Sequence, residues 1–202
     1  MFKIVYWLAR IVLFPIYRYR FEGRENLPDG PCLICGNHTA NIDSVLVIMG
    51  LESRGNYAII SKAELFKNPL LGGIMRFVRA FPVRRGDGDV GAIKAALRAL
   101  KDGKRLIVFP EGTRVKTGES GGAKAGAGMF AIRGNVPVVP VYVPEGKKAW
   151  KRNTVRFGAP ITPPDFDGRR PTPEDYAECS NRIMDSILAM RPTQIWEGWE
   201  EV

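Results

Sequence analysis

One histidine and three cysteines are all that this 202-residue chain offers for metal or thiol chemistry. A His-rich metal centre cannot be assembled from it, and an odd cysteine count argues against a disulfide framework and suits a reducing compartment. Cys32 and Cys35 form a CxxC with His38 close behind, the first half of a zinc pattern, but no second CxxC or histidine follows. The same stretch, PCLIC, reads as a buried strand, in which residues three apart point to opposite faces. Acidic residues are also in short supply, 21 against 30 Lys and Arg, for a net charge of +9. Such an excess argues for an anionic partner: nucleic acid, an anionic membrane surface or a phosphorylated small molecule. No basic helix or aromatic–basic motif of a nucleic-acid reader accompanies the charge, so no nucleic-acid partner is expected.

A long apolar run is missing as well. The first twenty residues, MFKIVYWLARIVLFPIYRYR, are rich in apolar and aromatic side chains but are interrupted by Lys3, Arg10, Arg18 and Arg20. The uncharged stretches beside Arg10 fall far short of the ~20 residues that span a bilayer. No small-residue cleavage site follows them, so a secretory leader is not expected either. Lys3 and Arg10 lie seven apart, near one stripe of a helix, with Phe2, Trp7, Leu8, Ile11, Val12 and Phe14 around the rest. Residues 1–20 are therefore expected to form an amphipathic interfacial anchor. Rings and branched chains would enter the headgroup boundary of one leaflet while the cations meet anionic lipid.

Residues 21–202 read as one domain. After the turn signal LPDGP, strands are expected at CLIC (32–35), NYAII (56–60), RAFPV (79–83), RLIVF (105–109), VPVVPVYV (136–143) and TVRFGAP (154–160). Helical patterns lie between them: 43–51, two short pieces within 61–78, 90–103 ending at Gly103, 124–134, and a closing helix at 173–191. This alternation indicates an α/β fold, a mixed and largely parallel sheet flanked by helices. The prolines of VPVVPVYV suggest an edge strand or a strand entry. No repeat and no linker divides the domain.

The lone His38 stands five residues before Asp43 in GNHTANIDSV. On a continuous helix the two would point about 140° apart. They meet if the strand CLIC ends, the chain turns through GNHTAN, and Asp43 opens the next helix, with Asn37, Thr39 and Asn41 suited to the turn and to capping. A carboxylate on one ring nitrogen fixes the tautomer and stabilises the imidazolium formed when the other nitrogen takes a proton. Without a serine or exposed cysteine nucleophile beside it, such a pair suits direct deprotonation of a substrate hydroxyl. The spacing alone leaves a helix-capping aspartate beside an unconnected histidine equally open.

Three further blocks decide between them. NHTANID (37–43) is followed by FPVRR (81–85), FPEGTR (109–114) and VPVVPV (136–141). In this order and spacing the four resemble the blocks of the glycerolipid acyltransferases, specifically the 1-acylglycerol-3-phosphate acyltransferases of the bacterial membrane. The likeness covers roughly residues 20–165, with Val115 where the family's EGTRS has its serine. It implies a glycerol-3-phosphate acyltransferase-like fold at the cytoplasmic face of the cell membrane. The implied reaction moves a fatty acyl group from acyl-CoA or acyl carrier protein to the sn-2 hydroxyl of lysophosphatidate, giving phosphatidate. His38 and Asp43 would be the catalytic pair, and no metal or other cofactor is called for.

An acceptor of this kind carries a phosphate, which demands fixed cations. Arg114 is the first candidate, since a guanidinium grips phosphate oxygens in a bidentate fork. Lys62, at the end of NYAII and similar to a phosphate-binding lysine of the family, and Arg85 complete the set. Glu111 and Gly112 are expected where the acceptor's glycerol lies, Gly112 permitting close backbone approach. Residues 115–128, rich in glycine and carrying Lys116 and Lys124, form a candidate lid, and NPLLGGIMRFV (68–78) a candidate wall for the acyl chain. A protein binding phospholipid without turnover is the rival interpretation of the same face.

Overall fold

The computed structural model describes residues 11, 15–16, 18–51, 56–83, 89–115, 122–147 and 150–192. Arg85, the middle of the candidate lid and all of the expected anchor at 1–20 except residues 11, 15–16 and 18–20 therefore lie outside the described residues.

Seven strands among the described residues form one sheet: β1 (Tyr19–Glu22), β2 (Leu33–Gly36), β3 (Tyr57–Lys62), β4 (Ala80–Val83), β5 (Arg105–Val108), β6 (Val138–Tyr142) and β7 (Asn153–Phe157). Their spatial order is β1-β7-β6-β2-β5-β3-β4. Neighbours from β6 through β4 pair parallel, while β7 runs antiparallel to β6 and parallel to β1. β1 and β7 thus point against the other five strands. Five α-helices among the described residues flank the sheet: α1 (Ile42–Gly50), α2 (Pro69–Phe77), α3 (Val90–Lys101), α4 (Gly126–Gly134) and α5 (Pro173–Leu188).

Side-chain alternation along the strands divides the core into two layers. Leu33, Cys35, Leu106, Val108, Val138 and Tyr142 face α3, α4 and α5, where they meet Leu100, Phe130, Ile183 and Ile187. Cys32, Ile34, Ile107, Val139 and Val141 face the opposite layer, where they meet Leu46, Val47 and Leu51 at α1. The period of two in these apolar runs, buried on both sides, is what a sheet covered by helices requires. Cys32 and Cys35 lie in different layers, and burial raises both thiols, Cys32 to about 11.

Two sequence expectations need correction. β1 was not foreseen: YRFE is only four residues long, and its pairing partner β7 is more than 130 residues away, so nothing local marks it. β6 is not at an edge, because β2 and β7 lie on its two sides. Pro140 is tolerated there for a geometric reason. Its carbonyl accepts from Gly158 N–H at 2.8 Å, so its missing donor also points toward β7. On that side the antiparallel register covers only Val141 and Tyr142.

The helix ends are set by side chains as well as packing. Asp89 caps α3 by accepting from Ala92 N–H at 3.0 Å. Thr172 and Asp175 form a reciprocal capping box at the start of α5, with Pro173 just inside. Gly128 lets α4 and α5 touch: a Cβ there would lie 2.1 Å from the Tyr176 carbonyl oxygen, and its N–H donates to Ser180 Oγ at 2.7 Å.

Candidate active site

Because β2, β3, β4, β5 and β6 are mutually parallel, their carboxyl ends share one rim, and the segments that follow them converge there. His38 follows β2, Glu111 through Arg114 follow β5, Lys62 closes β3, and Lys147 follows β6.

The turn carrying His38 is fixed from three sides. Asn37, 2% exposed, exchanges two hydrogen bonds with the backbone of Val143: its Nδ2 donates to the carbonyl at 2.9 Å and its Oδ1 accepts from the N–H at 2.7 Å. His38 N–H donates to Glu111 Oε2 at 2.7 Å, and the His38 carbonyl accepts from Val115 N–H at 2.9 Å. The imidazole stacks on Phe109, with centroids 4.3 Å apart. The segments that follow β5 and β6 therefore both tie the turn that leaves β2, the first at His38 and the second at Asn37.

His38 Nδ1 lies 3.2 Å from Asp43 Oδ2. The same oxygen accepts from Thr39 N–H and Ala40 N–H, each at 2.7 Å, so Asp43 closes the turn on itself as α1 begins. Burial would push this carboxyl up, but the His38 contact, the Lys147 cation and the Ala40 N–H outweigh it and hold it below its usual value. An ionised Asp43 can only accept, which puts the proton on His38 Nδ1 and the free lone pair on Nε2. The imidazole side chain keeps 13% of its surface exposed, whereas Asp43 is fully enclosed. Asn41 occupies the N-cap position of α1 without a side-chain bond, so the capping anticipated there is not made, and Asp43 holds the preceding turn instead, through the N–H groups of Thr39 and Ala40.

Of the other anticipated residues, Glu111 is brought closest. It turns inward, 5% exposed, toward the His38 backbone rather than toward Arg114. Burial is the main reason its carboxyl is pushed up to about 7; the His38 N–H opposes this, while Asp43 and Glu145 add to it. Gly112 has φ of 68°, a left-handed conformation suited to glycine. A Cβ there would meet Lys124 Cδ at 2.8 Å, so the lysine stem covers that side of the turn. Arg114 is exposed on the same loop, and Lys62 is exposed at the rim, 3.9 Å from Glu64.

Lys147 was not anticipated. Its Nζ lies 2.7 Å from Asp43 Oδ1, donates to the Pro144 carbonyl at 2.7 Å and to Thr39 Oγ1 at 3.1 Å, and its side chain is 5% exposed. In the sequence it is one of two lysines in a glycine-containing loop, a pattern that reads as solvated charge. The only available signal was positional, since whatever follows β6 must arrive at this rim.

A family model described as acyltransferase matches residues 18–144. A chloroplastic 1-acyl-sn-glycerol-3-phosphate acyltransferase from Brassica napus is 36% identical over 137 residues, 66% of this chain and 39% of the plant protein. The chain thus spans well under half of that relative's length. A Bacillus subtilis protein of the same name is 31% identical over 171 residues, covering 81% of this chain and 83% of the relative. Among solved structures, the 1-acyl-sn-glycerophosphate (LPA) acyltransferase of Thermotoga maritima superposes with a TM-score of 0.66 at 24% identity. That match covers 94% of this chain and 78% of the other, and it bears on the fold alone.

Proposed function

The chain belongs to the acyltransferase family, and from that premise we propose that it transfers a fatty acyl group from an acyl thioester to the sn-2 hydroxyl of 1-acylglycerol 3-phosphate, yielding phosphatidate. The observation that carries this is the contact between His38 Nδ1 and Asp43 Oδ2 at the rim where the strand ends converge. The names of the relatives supply the acceptor.

In the proposed mechanism the acceptor hydroxyl gives its proton to His38 Nε2 as its oxygen attacks the thioester carbonyl. Asp43 stabilises the imidazolium that results. The tetrahedral intermediate collapses by breaking the carbon–sulfur bond, and the imidazolium returns the proton to the departing thiolate, giving an ester and a free thiol. Arg114, with Lys62 and Arg85, holds the acceptor phosphate; the exposure of Arg114 and Lys62 leaves them accessible to a ligand. Glu111 acts through the backbone of His38, with Gly112 shaping the turn beside it. The donor is acyl-CoA or acyl carrier protein, both anionic and both suited to a chain of net charge +9.

The place of action is the cytoplasmic face of the membrane. No helix among the described residues is long and apolar enough to cross a bilayer. Leu65, Leu70 and Leu71, exposed by 36%, 75% and 41%, lie between Lys62 and Arg76, a mix of apolar and cationic groups fitted to anionic lipid. Residues 1–20 supply the anchor.

The deciding assay incubates purified protein with lysophosphatidate and either donor and follows phosphatidate by mass spectrometry, alongside His38→Ala. Phosphatidate from the wild type and its loss by at least 10³-fold in the variant are expected. Equal turnover by both proteins would refute the mechanism.

A further inference from the structure

We propose that Lys147 is a positioning residue of the His38–Asp43 pair: it holds the Oδ1 side of Asp43 and offsets the carboxylate's charge, which weakens the carboxylate's pull on a second imidazole proton. This rests on the acyl-transfer assignment only for its kinetic consequences.

The geometry is specific. An ammonium has three N–H donors, and Lys147 has three acceptors within reach: Asp43 Oδ1, the Pro144 carbonyl and Thr39 Oγ1. Asp43 divides its two oxygens between tasks. Oδ2 receives His38 Nδ1 and the N–H groups of Thr39 and Ala40, and Oδ1 faces Lys147. Three donors already meet Oδ2, and Lys147 adds its charge to the influences that hold the carboxyl down. Placing a buried cation there is expensive in desolvation, and an apolar residue would fill the space as well for stability alone.

The cation changes the charge balance of the reaction. With a neutral imidazole, the cluster of His38, Asp43 and Lys147 carries no net charge; protonating the imidazole makes it positive. Without Lys147 the same step would take the cluster from negative to neutral and would be favoured at higher pH. Among the described residues, other charged groups near His38 come from the segments after β5, β6 and α5, with Arg114 exposed on the first of these. Glu111 meets the His38 backbone N–H from the loop after β5, and Glu145, paired with Arg191 of the segment after α5, lies beyond Glu111. Lys124 lies over Gly112, and the face of the ring itself meets the uncharged Phe109. Among the described residues, Lys147 is the cation that touches Asp43.

A chain with one histidine permits a direct test. The protein is labelled with ¹³C-histidine, and its single Cε1–H signal is titrated in the wild type and in Lys147→Gln, Lys147→Met and Lys147→Arg. The Gln and Met variants, either sufficing if the other fails to fold, should move the midpoint up by about one pH unit or more, with Arg staying close to the wild type. The acid limb of kcat/KM for phosphatidate formation should move with it, while KM for lysophosphatidate changes less than about twofold. A midpoint shift in a protein that forms no phosphatidate would refute the substrate assignment and support Lys147's role. Coincident midpoints in wild type and the folded neutral variant would overturn the proposal.

Discussion

Replacing Glu111 by Gln should make the protein more stable above neutral pH and leave it nearly unchanged in acid. Glu111 is buried, and its carboxyl titrates near 7 in the fold against an ordinary 4.5. The folded state therefore holds a proton that the unfolded chain gives up between those two values. Unfolding releases it, so the contribution of Glu111 to stability is fully present below about pH 4.5, declines as pH rises, and is gone above about pH 7. The interval of about 2.5 units corresponds to roughly 3 kcal/mol. Gln keeps an acceptor for the His38 N–H and cannot ionise. Subtracting its stability from that of the wild type isolates this one group, since the other titrating residues are shared. The difference should widen against the wild type by up to about 3 kcal/mol between pH 4.5 and pH 8, which is about 6–12 °C in melting temperature for a chain of this size. Calorimetric melts of both proteins across that range would measure it. Parallel stability curves would mean that the inward-facing carboxylate is solvated or paired in a way that contradicts the geometry found.

Other substitutions probe different parts of the molecule. Asn37→Ala strands the backbone N–H and carbonyl of Val143 and should lower stability by about 2–4 kcal/mol in urea titrations, with kcat falling even where the protein is folded. Gly128→Ala forces a methyl against the Tyr176 carbonyl, so α4 and α5 must part; about 2–3 kcal/mol should be lost in the same titration, and an unchanged midpoint would contradict the close helix contact. Arg114→Ala, at an exposed position, should leave stability within about 0.5 kcal/mol of wild type while raising KM for lysophosphatidate roughly tenfold or more. An unaltered KM would remove Arg114 from the phosphate site. Leu70→Glu should weaken sedimentation with vesicles containing anionic phospholipid, and undiminished binding would place the bilayer contact elsewhere.

What could be read from the sequence follows from range. The apolar runs at CLIC and RLIVF, the helix opened by Asp89 and the closing helix after Pro173 declare themselves within a few residues, and their observed limits fall within a few positions of those expected. The strand–turn–helix that lets His38 meet Asp43 was legible for the same reason, within eleven residues, although only the three later blocks favoured that meeting over a capping aspartate. Longer-range relations were not. β1 exists because β7 offers it an edge, and Pro140 sits in an interior strand because the missing donor faces a short ladder. Glu111 was expected to look outward to a ligand, yet the stronger pull is the otherwise unmatched N–H of a residue 73 positions earlier. Lys147, more than a hundred positions from Asp43, had no local signature at all.

The reversal of β1 has one more consequence. Since it runs against the five central strands, its first residue, Tyr19, lies at the end of the sheet where those strands finish, which is also the end that bears His38. Any hold that the preceding residues take on a lipid surface is therefore a short leash fastened at the imidazole's end of the sheet, along its edge, rather than at the far pole of the molecule. Lengthening the chain just ahead of Tyr19 would let that pole drift from the surface, and an amphiphile would then have to leave its bilayer to be reached.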